Sequence, residues 1–376
     1  MGCHRERLSG RTGTVIGEYL LLLAILVSLL IGFVIGKTGE RYRLQQGQLV
    51  DRRKVRGSPH YLHGLNFLIS GQLDPAIEEF QRAATLNVDG IEVPLILGNL
   101  YREKGQVGRA IQTHQQILQR PRLTRLEHGY VQLCLGFDYR RGGFVDRALE
   151  AFHEVLRLDP SNRDALLNLE KLHADQHQWQ EAYDIRQRLV SVAPPDQQAR
   201  HRAILAFLET ELGREAMKRG DSREAARQFA AAIERDPRVV PAYLNLGDVR
   251  LQEEDVAGAV EVWERVLQVA PDRGYLIFDR LASAYARLGC EDRFAALCRR
   301  LTAESPQDWR ARLALARYLS ARGAAREAFE LLLEALAVNP HPVTLHQSTW
   351  QVLSQLRLDP AAVDRYVIAS REAVFF

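Results

Sequence analysis

After Gly57 the pattern of apolar and small residues repeats itself. Gly64, Gly98, Gly136, Glu170, Gly213, Gly247, Ala282 and Ala316 occupy equivalent places, at separations of 34, 38, 34, 43, 34, 35 and 34 residues. A few residues beyond each stands a turn position, usually glycine: Gly71, Gly105, Gly143, Gly220, Gly289 and Gly323. Five further on comes a small residue: Ala76, Ala110, Ala148, Ala182, Ala225, Ala259 and Ala328. A proline often closes the unit, at Pro160, Pro194, Pro237, Pro271, Pro306 and Pro340. Glycine at a break and proline at an end predict two helices joined by a tight turn in every repeat. Small residues at the eighth and twentieth places let the two helices approach closely. Bulky residues between them, such as Tyr101, Tyr139, Phe80, Phe152, Phe229 and Trp263, fill the gap to the next unit. Each unit leaves one face uncovered and needs a neighbour to complete its core.

This pattern resembles the tetratricopeptide repeat, a 34-residue helix–turn–helix. The resemblance implies an all-α fold, a right-handed superhelical solenoid of about eight helix–turn–helix units over residues 57–342. The two long separations predict insertions near Arg120–Arg125 and Pro194–Ala203. Residues 343–376 lack the pattern and are expected to form one or two capping helices.

Before the repeats the pattern changes completely. Tyr19–Gly36 is a run of 18 residues without a charge. At about 1.5 Å per residue it matches the thickness of a bilayer core, and it predicts a transmembrane helix. A cleaved signal peptide would have a shorter apolar core and a small-residue cleavage site, whereas Lys37-Thr38-Gly39-Glu40 follows here. Met1-Gly2-Cys3 does not extend into a lipidation motif, because Glu6 stands where Ser or Thr is required. The expected organisation is therefore a short flank at 1–18, a membrane helix at 19–36, a basic linker at 37–56, the repeat array, and the caps.

Charge gives this organisation a direction. The net charge of +3 is too small to imply nucleic-acid binding, and it is unevenly spread. Residues 1–56 hold ten Lys and Arg against four Asp and Glu. Arg5, Arg7 and Arg11 precede the apolar run; Lys37, Arg41, Arg43, Arg52, Arg53, Lys54 and Arg56 follow it. That excess orients the C-terminal side towards the cytoplasm. The chain is thus expected to be a single-pass membrane protein with a cytoplasmic body. The stretch Lys37–Arg56 is either a surface for anionic lipid or a solvated linker. Normal apolar content and four cysteines in 376 residues exclude a disordered chain and a disulfide scaffold.

Three stretches carry a narrower resemblance: Tyr61–Ile77 (YLHGLNFLISGQLDPAI), Leu97–Leu118 (LGNLYREKGQVGRAIQTHQQIL) and Leu135–Phe152 (LGFDYRRGGFVDRALEAF). With the anchor and basic linker they are similar to the lipopolysaccharide assembly protein B family. The positions that match include Gly64, Asn66 and Phe67, then Gly98, Asn99, Tyr101, Arg102, Arg109 and His114, then Gly136, Asp138, Tyr139, Asp146 and Arg147. The resemblance implies a bacterial inner membrane as the location, and a cytosol-facing adaptor that helps a membrane-bound metalloprotease degrade the deacetylase committing carbon to lipid A. The family also carries a rubredoxin-like zinc module with two Cys-x-x-Cys pairs. Cys3, Cys134, Cys290 and Cys298 do not form such pairs, so functions of that module are not implied. A general scaffold for secretion or envelope assembly is the alternative.

No nucleotide-binding, hydrolase or metalloprotease motif is present, so no enzyme and no cofactor are expected. His173 and His177 are four apart, a spacing that suits two metal ligands on one helix. They also fall at the packing and turn positions of the fourth repeat, which is the structural reading of both. Cys298 stands where other repeats have Phe or Trp, so a buried thiol is expected. What remains is surface. In such arrays the first helix of each unit lines a concave groove. The groove positions here are Asn99, Arg102, Phe137, Arg140, Arg141, Lys171, Arg214, Asp248, Arg287 and Arg317. Arginine favours carboxylates, so an acidic or helical peptide segment of a protein partner is the expected ligand. The Lys/Asn clamp known from some of these arrays is not reproduced, since Leu95 stands beside Asn99 in its place.

Overall fold

The computed structural model describes residues 58–85, 90–191 and 194–370. The expected membrane helix at 19–36, with the segments at 1–18 and 37–56, lies outside the described residues, as does 371–376. Among the described residues no helix is long and apolar enough to cross a membrane.

The described residues form helices joined in hairpins. The first three hairpins are α1 (Pro59–Ile69) with α2 (Leu73–Ala84), α3 (Glu92–Glu103) with α4 (Val107–Leu118), and α5 (Arg125–Arg141) with α6 (Val145–Leu158). Next come α7 (Arg163–Asp175) with α8 (Trp179–Ser191), α9 (Gln198–Lys218) with α10 (Ser222–Arg235), and α11 (Val240–Gln252) with α12 (Val256–Val269). The last three are α13 (Phe278–Arg287) with α14 (Glu291–Glu304), α15 (Trp309–Ala321) with α16 (Ala325–Val338), and α17 (Val343–Gln355) with α18 (Pro360–Ser370). The chain divides after Ala165 into two compact units.

Local chemistry starts and stops these helices. Pro59 opens α1 behind Ser58, whose Oγ accepts from the Tyr61 amide at 3.1 Å. Thr124 and Glu127 form a reciprocal capping box on α5. Asp221, Asp255 and Asp308 cap α10, α12 and α15 in the same way with one side chain each. Each hairpin turn is a Schellman motif. In the second, Gly105 N–H donates to Arg102 and Gln106 N–H to Tyr101 C=O, with Gly105 in the left-handed region at φ 78°. The fourth and sixth turns use His177 (φ 59°) and Glu254 (φ 64°) there instead of glycine. The expected insertions do not bulge as loops. They lengthen first helices: α5 has 17 residues and α9 has 21, against 12 in α3.

Within each hairpin one contact recurs between residues sixteen apart. A Cβ built on Gly136 would lie 2.5 Å from Phe152, one on Gly213 2.6 Å from Phe229, and one on Gly247 2.1 Å from the Trp263 ring nitrogen. Glycine is needed there because the ring of the second helix abuts the backbone of the first. The rings of Phe80, Phe152, Phe229 and Trp263 are fully buried. In the seventh hairpin the sizes are exchanged along the second helix: Cys298 takes the ring position, and Phe294 takes the place of the small alanine, both buried. Volume is conserved, as a close-packed core requires.

Residues 343–370, which lack the sequence pattern, repeat the hairpin construction. Arg357 is left-handed at φ 56°, and Leu358 N–H bonds back to Leu353 C=O. Trp350 and Tyr366, again sixteen apart, meet edge to face at 5.6 Å between centroids.

Candidate protein-binding face

The predicted groove residues sit on first helices, and their neighbours decide how much charge each offers. In the first unit α3 and α5 lie side by side. Arg102 Nη1 donates to Asp138 Oδ1 at 2.9 Å, and Nη2 donates to Asn99 Oδ1 at 2.9 Å. Asp138 is fully buried and also meets His114 Nδ1 at 2.5 Å through its other oxygen. Phe137 packs edge-on against Phe152 at 5.7 Å, and Arg102 and Arg140 lie 5.5 and 5.9 Å from its ring. Asn99, Arg102, Phe137 and Arg140 therefore form one cluster, while Arg141 is exposed at the end of α5.

The buried side of that cluster was not among the predicted site residues. Asp138 balances the Arg102 charge, so Arg102 is a fixed donor platform rather than a free cation. Cys134 lies behind it, its thiol pushed up to about 11 by burial, against the partly opposing influence of Arg102. The signal for this network was the ring slot itself. His114 stands sixteen after Gly98, where other hairpins have phenylalanine or tryptophan. An imidazole there brings a polar edge that calls for a buried partner.

In the second unit the predicted residues separate. Lys171 and Arg287 are exposed. Arg214 pairs with Glu211 on its own helix at 2.6 Å. Asp248 accepts two bonds from Arg280 of α13, at 3.0 and 3.1 Å. Arg317 on α15 donates from Nε to Ser348 Oγ of α17 at 3.1 Å. Among the described residues no carboxylate pairs with Lys171, Arg287 or Arg317.

His173 and His177 do not converge on a shared site. His173 Nδ1 lies 2.6 Å from Gln178 Oε1, and His177 occupies the left-handed turn with its ring 5.2 Å from Trp179. Among the described residues no group of three His, Cys, Asp or Glu is placed to hold a metal ion. Cys298 is buried, and burial pushes its thiol up to about 12.

Sequence comparison agrees with this architecture. Tetratricopeptide repeat family models match residues 135–196 and 210–274, and residues 95–127. The chain is 27% identical over 328 residues to lipopolysaccharide assembly protein B of Escherichia coli K12, covering 87% of this chain and 82% of that protein. It is 25% identical to lipopolysaccharide assembly protein B of Haemophilus influenzae, covering 77% and 74%. A solved tetratricopeptide repeat protein from Parabacteroides merdae overlaps 78% of this chain and 97% of its own at 15% identity, with a TM-score of 0.37.

The chain carries tetratricopeptide repeats over the matched residues and shares their all-α helix–turn–helix fold. It is similar to lipopolysaccharide assembly protein B along most of both sequences.

Proposed function

We propose that this chain is a membrane-anchored, cytosol-facing adaptor in the control of lipopolysaccharide synthesis, bringing a membrane protease to the lipid A deacetylase. The observation that carries the reading is similarity to lipopolysaccharide assembly protein B over 87% of the chain. The uncharged run at 19–36 and the basic linker at 37–56 support an anchor that leaves the repeats of 57–342 in the cytoplasm, with 343–376 as their cap. Holding the first-helix face near membrane-embedded partners raises their effective concentration. The docking positions for protein segments are first-helix residues, Asn99 and Arg102 in the first unit and Arg317 in the second.

The test is complementation of a strain lacking the protein, read as deacetylase abundance by immunoblot. The full chain should restore the normal level, and residues 37–376 should not. Restoration by residues 37–376 would show that tethering is dispensable. A deacetylase level that ignores both forms would remove the lipopolysaccharide reading and leave the general scaffold, whose partners a pull-down would then identify as secretion or assembly factors.

A further inference from the structure

The first helices α15 and α17 flank an open cleft of about 300 Å³, lined by the exposed Arg317 and Gln351 and by Ser320, Leu332, Ser348 and Gln355, with apolar atoms between them. Leu332 of α16, buried sixteen residues after Ala316 where earlier hairpins carry a large ring, also lines it. The polar groups are oriented by one another. Arg317 Nε donates to Ser348 Oγ, so that oxygen's own proton is left to donate. Ser320 Oγ donates to Gln355 Oε1 at 3.0 Å, which leaves the Gln355 amide hydrogens as donors. Ser320 and Ser348 are themselves at least nine-tenths buried. The two Nη nitrogens of Arg317 have no hydrogen bond to the described residues, and no acidic side chain lines the cleft.

The cleft thus collects donors around one guanidinium and supplies no anion. Arg102, Arg214 and Arg280 on the same helix series differ, because each already has a carboxylate. A ligand that completes the cleft must accept several hydrogen bonds and carry one negative charge. That describes a carboxylate better than a phosphate, whose charge approaches two. We propose that the α15–α17 cleft is a carboxylate-binding subsite for a protein partner, taking an acidic side chain or a free C-terminus. The proposal rests on the adaptor reading and gives the first helices of the second unit a ligand chemistry.

The test is fluorescence anisotropy with the full chain in detergent micelles and three labelled octapeptide mixtures, randomised over neutral residues. One ends in a free carboxylate; one is amidated with a fixed internal Asp; one is amidated with Asn in its place. Binding of the first or second, and not the third, is expected and identifies the source of the carboxylate. Arg317→Ala should weaken it about tenfold or more, Arg317→Lys less, and Arg326→Ala, outside the cleft, not at all. Unchanged thermal melting of the Arg317→Lys protein guards against unfolding as the cause. Equal binding of all three mixtures, binding of none, or indifference to Arg317→Ala overturns the proposal. Failure here leaves the deacetylase measurement untouched, and failure there leaves this titration untouched.

Discussion

Glu170 and Arg186, sixteen residues apart and both buried, form a two-pronged ion pair where other hairpins set a glycine against an aromatic ring. Arg186 Nε donates to Glu170 Oε1 at 2.9 Å, and Nη2 donates to Oε2. Arg186 Nη1 lies 3.1 Å from the Nδ1 of buried His201. Burial and the ion pair pull the Glu170 carboxyl in opposite directions, and desolvation is the larger effect, raising it above its usual range. The pair fills the slot without hydrophobic gain, and its worth lies in neither charge being left alone. Arg186→Ala should therefore cost about 3–5 kcal/mol, while the double change Glu170→Gly with Arg186→Phe should recover most of that loss. Urea melts of the three proteins decide it; equal loss in single and double variants would show that the ring slot is not transferable.

The glycine side of the same slot makes the opposite prediction. Gly247→Ala places a methyl 2.1 Å from the Trp263 ring nitrogen, and that indole also donates to Leu244 C=O at 3.2 Å. The cost should be about 1–3 kcal/mol. Adding Trp263→Leu should relieve the clash, because the eighth hairpin carries Ala316 and Leu332 at the same two places, both fully buried. A double-mutant cycle on thermal melting measures the coupling.

Glu254 holds a left-handed turn that glycine holds in most hairpins. Glu254→Gly should raise stability by about 1 kcal/mol, since the strain of a side chain at φ 64° outweighs the added freedom of the unfolded chain. A fall in melting temperature would count against this.

Thiol accessibility separates the cysteines. In a Cys3→Ser background, Cys290 is exposed and should react quickly with a disulfide reagent at pH 8. Cys134 and Cys298 are buried, with thiols pushed up to about 11 and about 12, so both should stay protonated and shielded until the protein unfolds. Three fast thiols would contradict the packing of α5 and α14.

Glu224 offers a pH signature at the surface. Hydrogen bonds from Arg227 and Gln228 hold its carboxyl down to about 2, below the usual 4.5. A depressed carboxyl stabilises the fold above its unfolded value, and that stability is lost as pH falls from 4.5 towards 2. Glu224→Gln should flatten the acid side of the stability profile in that window. The effect should be small, well under about 1 kcal/mol, because the group is solvent-screened.

Much of the fold was legible in sequence for a simple reason. Turn glycines, small residues in ring slots and closing prolines act on neighbours within one hairpin, so their spacing survives in a linear reading. The same logic placed His177 at a turn and Cys298 in the core. The candidate face was legible only as positions. Its chemistry depends on partners one repeat away: Asp138 is 36 residues from Arg102, and Ser348 is 31 from Arg317. Tertiary structure alone decided that Arg102 is neutralised and that Arg317 keeps two nitrogens to donate. It also decided that residues 343–370 turn as a hairpin without the repeat's signature, because Trp350 and Tyr366 meet there instead. Periodicity determines which helices form and which faces they bury; the pairing of charges between repeats is settled only when those faces are brought together.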